Sequence, residues 1–215
     1  MTTMQNPKGA IEFYFDFSSP YGYLAAQKID KVGAKYGRKV RWHPIMVGAI
    51  FKQTGNKANV EVGLKGDYMR YDVPRTAAMM DVPFTWPEPF PVSTLTAARA
   101  FYWLEGNDPD RAVPFALAVY DRYFGRGVDV SGTDEVVRIA EEIGIDGAAL
   151  AEAVTQDDIK QRVKDETTEA MDLGVFGSPY FLIEGEAFFG SDRMWQIERF
   201  LGKGKDKSEG SGSCS

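Results

Sequence analysis

The chain has one cysteine and one histidine in 215 residues. A lone cysteine cannot close a disulfide within the chain, so a disulfide-stapled scaffold is excluded. Cys214 sits in a segment, Gly202 to Ser215, reading GKGKDKSEGSGSCS, with almost nothing apolar to bury. That segment is expected to be disordered. Cys214 is then an exposed bystander, because a reactive thiolate needs an organised electropositive setting. A single histidine, His43, excludes a multi-histidine metal site, and no carboxylate cluster shows metal-ligand spacing. No metal is expected. No apolar run approaches the roughly 20 residues of a membrane span. Met1 to Ala10 is mostly polar and lacks the apolar stretch of a secretory signal. Basic residues are not in excess: 25 Lys and Arg face 31 Asp and Glu, a net charge of −6 with no basic stripe for a nucleic acid to follow. The G-x-G-x-x-G, Walker and G-x-S-x-G patterns are also missing, which argues against the common nucleotide-binding and serine-hydrolase chemistries. A cytoplasmic protein acting on small molecules fits these absences.

What is present is an ordinary globular composition, 44% hydrophobic and 26% charged, in a chain long enough for a substantial core. Ile11 to Phe17 is aromatic and β-branched and reads as a buried strand. Pro20 then opens a helix, a position where its missing N–H is tolerated. Ala25, Ile29, Val32 and Tyr36 carry that helix on to Gly37, and Lys39 to His43 alternates as a second strand. Strand–helix–strand favours a parallel pair. From Ala49 to Ala170 the periodicity is helical. Helices are expected over Leu64 to Met80 with a break at Pro74, Thr94 to Glu105, Asp110 to Phe124, Thr133 to Ile143 with Thr133 at a capped start, and Gly147 to Leu173 with a break near Thr155. Val82 to Pro91 carries four prolines and should be an ordered, extended loop. Tyr180 to Ile183, a turn, and Ala187 to Phe189 form a hairpin, and Asp192 starts a last helix, Arg193 to Leu201. The expected fold is α/β, a thioredoxin-like fold interrupted by a large α-helical insertion. Residues 9–48 and 174–203 would build the thioredoxin-like part, 49–173 the insertion, and 204–215 the tail.

Four places could carry chemistry. Ser19 lies at the carboxyl end of a strand and just before a helix, where ligands of open α/β sheets gather and where an anion such as a thiolate is favoured. A helix cap by Ser18 or Ser19 is the plain alternative. Ser178-Pro179, after glycine-rich sequence and directly before a strand, is a candidate cis peptide whose backbone could pair with an extended peptide, with an ordinary proline at a strand start as the plain alternative. Ser191 and Asp192 stand at the start of the last helix, as a cap or as a seat for a carboxylate and an ammonium. Asn56, in a Gly-Asn turn, and Lys65 could reach a carboxylate.

FYFDFSSPYGYLA at 13–25, TGNK at 54–57, LKGDYM at 64–69, ETTEA at 166–170, GVFGSP at 174–179 and FFGSDRM at 188–194, in this order, resemble the 2-hydroxychromene-2-carboxylate isomerase and kappa-class glutathione transferase family, a branch of the DsbA-like thioredoxin superfamily. The resemblance implies the interrupted thioredoxin fold and glutathione as cofactor. Ser19 takes the place of the first redox cysteine, and Ser19-Pro20-Tyr21-Gly22 holds no cysteine, so disulfide exchange at this site is excluded. By the same resemblance Ser19 would hold and activate the glutathione sulfur. Ser178, before a cis-Pro179, would pair with the cysteinyl backbone. Ser191 and Asp192 would bind the γ-glutamyl end, and Asn56 and Lys65 would lie near the ligand. The implied reaction interconverts 2-hydroxychromene-2-carboxylate and trans-o-hydroxybenzylidenepyruvate. Aromatic ring systems suit a pocket lined by Trp86 and Phe90 of the proline loop; packing of both rings in the core is the plain alternative. The first segment leans to the isomerases, while TGNK, ETTEA and FGSDRM lean to the transferases. A kappa-type transferase acting on electrophiles and a non-catalytic thiol-peptide binder are the alternatives. Relatives suggest a homodimer.

Overall fold

The structure, a computed structural model, describes residues 9–202. The expected tail and Cys214 lie outside them. Four strands form one mixed sheet in the order β2-β1-β3-β4, from β1 (Ile11–Phe15), β2 (Val40–Pro44), β3 (Tyr180–Ile183) and β4 (Glu186–Phe189). β1 pairs in parallel with β2, Ile11 opposite Val40, and antiparallel with β3, Ile11 opposite Ile183. Two chain ends far apart in sequence thus meet in one sheet, the thioredoxin-like arrangement expected from the order of elements.

β1 is central, and all five of its residues are buried. Alternation sends Ile11, Phe13 and Phe15 to one face. There Phe13 stacks on Phe181 at 5.2 Å and meets the edge of Trp42 at 5.0 Å. Tyr14 points to the other face and joins Ile45, Ile50, Ala170, Val175 and Tyr180. The helices that interrupt the sheet cover both faces: α3 (Val47–Thr54), α4 (Gly63–Met79), α5 (Leu95–Asn107), α6 (Pro109–Tyr120), α7 (Thr133–Glu142), α8 (Gly147–Ala153) and α9 (Asp157–Asp172). Among the described residues no helix is long and apolar enough to cross a membrane.

Several local expectations need correction. The helix expected from Pro20 to Gly37 is two, α1 (Pro20–Ala26) and α2 (Ile29–Lys35). α2 packs so close to the next strand that a Cβ on Gly33 would sit 2.7 Å from a side-chain carbon of Val40. α4 runs through Pro74 without a break. Proline removes the N–H that would bond the Arg70 carbonyl one turn back, and the Trp86 indole N–H takes that carbonyl at 3.3 Å. Thr133 does not cap α7; it is the first helical residue, after Gly132. The last helix, α10, spans Met194–Gly202 and follows a 3-10 turn over Ser191–Arg193. Asp192 caps neither element, and its carboxylate pairs with Arg193 at 2.8 Å. α3 was not foreseen. Its first N–H, on Val47, is held at 2.8 Å by a carboxylate oxygen of Asp16, a tertiary contact with no local sequence signal.

Candidate functional site

The chain leaves β1 through Asp16, turns over Phe17 and Ser18, and enters α1 behind Ser19. Asp16 is only 3% exposed in this otherwise apolar run. One of its oxygens accepts from the Ser18 N–H at 2.8 Å, the Ser18 hydroxyl at 2.8 Å and the Thr94 hydroxyl at 3.0 Å. The other accepts from the Val47 N–H at 2.8 Å. Hydrogen bonds to a charged group contribute about 1.5–3 kcal/mol each, so these four offset the cost of burying the carboxylate. Asp16 thereby fastens the serine turn, α3 and the end of the proline loop to one point.

Ser19 is the N-cap of α1. Its Oγ accepts from the Gly22 N–H at 3.0 Å and donates to the Ser178 carbonyl at 3.1 Å. The helix cap named as the plain alternative is thus present. The Ser178–Pro179 bond is cis, as are Glu88–Pro89 and Phe90–Pro91 in the proline loop. The Ser178 Oγ accepts from the Asp16 N–H at 2.9 Å, which ties β1 to the approach of β3.

Gly22 makes this closeness possible. A Cβ there would lie 2.6 Å from the Tyr120 hydroxyl, 2.9 Å from Ser178 Oγ and 3.2 Å from Ser19 Cβ. Tyr120 is fully buried and donates to the Asp16 carbonyl at 2.9 Å, so it cannot give way.

Ser19 and Ser178 open onto a cavity of about 750 Å³, within the range of small-molecule sites. Asn56, Lys65 and Phe90 also line it, so five of the residues singled out in the sequence meet in one place. Pro179, Ser191, Asp192 and Trp86 do not line it. The Pro179 carbonyl accepts from Gly190 N at 3.0 Å, which holds the Ser191–Asp192 turn beside α1. Trp86 stands behind Phe90, edge to face at 5.2 Å, and fastens α4 instead.

Sequence reasoning missed much of the wall. Val47, Gly48, Phe51 and Lys52 come from one face of α3, as spacings of one, four and five residues require. Phe176 and Phe189, ring centroids 4.6 Å apart and each 44% exposed, form an aromatic rim. Lys52, Lys57 and Lys65 line the same space, and none has a carboxylate within ion-pair distance among the described residues. The signal that could have found Asp16 was an acidic residue ending an apolar strand, since a buried carboxylate must be paired or bonded.

Tyr21 lines the cavity but is no ready acid. Burial and its hydrogen bond to Asp72, 2.8 Å, push its phenol far up. Burial alone would raise the Asp72 carboxyl too. Bonds from Tyr21, Arg75 and Tyr68 outweigh that and hold it below the usual range. His43 lies outside the cavity lining, between Glu12 at 2.7 Å and Glu166 at 3.6 Å. Burial pushes its pKa down, but the two carboxylates prevail and raise it to about 9, so it is a charged strut. Among the described residues no cluster of three or more His, Cys, Asp or Glu could hold a metal ion.

The fold and the cysteine-free serine turn place the chain in a known class. The family model of the DSBA-like thioredoxin domain matches residues 10–202, and the chain belongs to that family. Within it, the chain is 33% identical over 193 residues to a 2-hydroxychromene-2-carboxylate isomerase of Sphingobium xenophagum, covering 89% of this chain and 97% of that protein. It is 26% identical to a glutathione S-transferase kappa 1 of Caenorhabditis elegans, covering 89% and 90% of the two. A solved 2-hydroxychromene-2-carboxylate isomerase superposes with a TM-score of 0.85 at 25% identity, covering 95% of this chain and all of the other.

Proposed function

We propose that this chain is a glutathione-dependent isomerase that interconverts 2-hydroxychromene-2-carboxylate and trans-o-hydroxybenzylidenepyruvate in aromatic-compound breakdown. The observation that carries the reading is the pairing of Ser19 with Ser178 on the wall of an aromatic, lysine-bearing cavity in a chain so similar to such isomerases. The residues present fit glutathione. Ser178 offers a backbone N–H with no acceptor among the described residues, and a carbonyl. Ser19 offers a hydroxyl, and Lys65 with Asn56 a place for a carboxylate. The turn of Ser191 and Asp192 lies outside the cavity lining but beside α1, and the γ-glutamyl end would have to extend past the cavity to reach it. When bound, glutathione supplies a thiolate that can add to a conjugated double bond and leave again, so that the bond is single while it rotates.

This chain's own residues orient and shield that exchange. Ser19 sits where its hydroxyl can donate to the sulfur, with Gly22 N–H holding its oxygen in place. Phe90, Phe51 and Phe176 give the substrate rings an apolar wall. Pro91, Val92, Ser93 and Thr94 line the cavity without a basic group, so the substrate carboxylate falls to Lys52 and Lys57, which line it too. A cytoplasmic location, where glutathione keeps thiols reduced, and a homodimer belong to the same proposal.

The test is turnover of 2-hydroxychromene-2-carboxylate with and without glutathione. Glutathione-dependent isomerisation is expected. The similarity to kappa transferases favours a second reading, conjugation of electrophiles. Faster turnover of a chloro-nitroaromatic than of the chromene would select it, and tight glutathione binding with neither activity would leave a thiol-peptide binder. Sedimentation at working concentration reads the dimer.

A further inference from the structure

Ser178 brings a second hydroxyl to the site, and its proton is not engaged. Its Oγ accepts from the Asp16 N–H at 2.9 Å, and the hydroxyl hydrogen has no acceptor among the described residues. The Ser19 hydroxyl is in the opposite condition: its proton goes to the Ser178 carbonyl and its oxygen accepts from Gly22 N–H. Both residues line the cavity. Both also crowd one point, since a Cβ on Gly22 would lie 2.9 Å from Ser178 Oγ and 3.2 Å from Ser19 Cβ. The two serine side chains are therefore neighbours, and both residues face the same cavity.

We propose that the Ser178 hydroxyl is a second catalytic donor, hydrogen-bonding the glutathione sulfur alongside Ser19. The inference rests on the glutathione reading above. Hydrogen bonds to an anion are roughly twice as strong as those between neutral groups, so a free donor beside a thiolate lowers the thiol pKa. Ser178 can give its proton to the bond at once. Ser19 must first let go of the Ser178 carbonyl, and the cysteinyl N–H of glutathione is suited to replace it there. The thiol proton leaves to water, and neither serine loses its own. The Asp16 N–H fixes the Ser178 oxygen and so decides where its donor can point.

The experiment titrates glutathione, isotope-labelled at its cysteinyl β-carbon, by NMR while bound to wild type, Ser178→Ala, Ser178→Thr, Ser19→Ala and the double alanine variant. Ser178→Ala should raise the bound thiol pKa by about one unit, a tenfold loss of thiolate below that pKa. Ser178→Thr should keep the wild-type titration, and the double variant should approach free glutathione. Ser178→Ala titrating like wild type, while Ser19→Ala shifts, would overturn the inference. A wild-type complex whose thiol titrates as in free solution would overturn thiol activation itself, and the inference with it. Should Ser178→Ala fail to fold, Ser178→Cys still accepts from Asp16 N–H but donates only weakly. It should then show the shift, and an unshifted titration counts against the inference.

Discussion

Replacing Gly22 with alanine separates stability from function at this site. The new methyl would meet the Tyr120 hydroxyl at 2.6 Å, Ser178 Oγ at 2.9 Å and Ser19 Cβ at 3.2 Å. Ordinary contacts lie nearer 3.5–4.0 Å, so something must shift by several tenths of an ångström. Tyr120 is fully buried and bonded to Asp16, so the two serines must yield. Overpacking of this kind costs about 1–3 kcal/mol. The alanine returns up to about 1 kcal/mol through its better helix propensity. The net loss of stability is therefore between about 0 and 3 kcal/mol. The rate has no such compensation, since misplacing reacting groups by an ångström can cost about 100-fold. We expect kcat for isomerisation to fall at least tenfold while the urea midpoint moves modestly. Removing the tightest contact, with Gly22→Ala in a Tyr120→Phe background, should recover part of the rate. Near-wild-type turnover in Gly22→Ala would refute the placement of Ser19 and Ser178 in the reacting geometry.

Lys52→Met and Lys57→Met should each raise the substrate KM, by up to about fivefold for an exposed ion pair, and leave the glutathione KM unchanged in steady-state kinetics. His43→Gln should destabilise the fold in a pH-dependent way. The folded pKa of about 9 lies above the usual 6.5, so the stabilisation is complete below that ordinary value and is lost as pH rises through about 9. Urea midpoints of variant and wild type should differ most below pH 6.5 and converge above pH 9. Trp86→Phe removes the donor to Arg70 O and should cost about 1 kcal/mol in denaturant unfolding, with both KM values unchanged.

The strands were legible because Ile11–Phe15 and Tyr180–Ile183 are nearly continuous apolar runs that only a buried sheet accommodates. Their pairing was legible because neither end could complete a sheet alone. α3 was not legible, since Gly48 weakens its local signal and Asp16 pins its start from a distance. Pro74 misled because the replacement donor, Trp86, is supplied from another segment. At the site, Ser19, Ser178, Asn56 and Lys65 could be named from motif order and Phe90 from its place in the proline loop, and all five line one cavity. The α3 face and the Asp16 network are products of tertiary packing, and no local pattern marks them. Trp86 shows the reverse: a residue type suited to a pocket can be needed more by the framework behind it.

The central claim is that Ser19 holds the sulfur of glutathione at this cavity. A crystal structure of the chain with glutathione tests it most directly. The sulfur is expected within hydrogen-bonding reach of Ser19 Oγ, with the cysteinyl backbone paired to Ser178. A sulfur lying away from Ser19, with the tripeptide elsewhere in the cavity or outside it, would contradict the account.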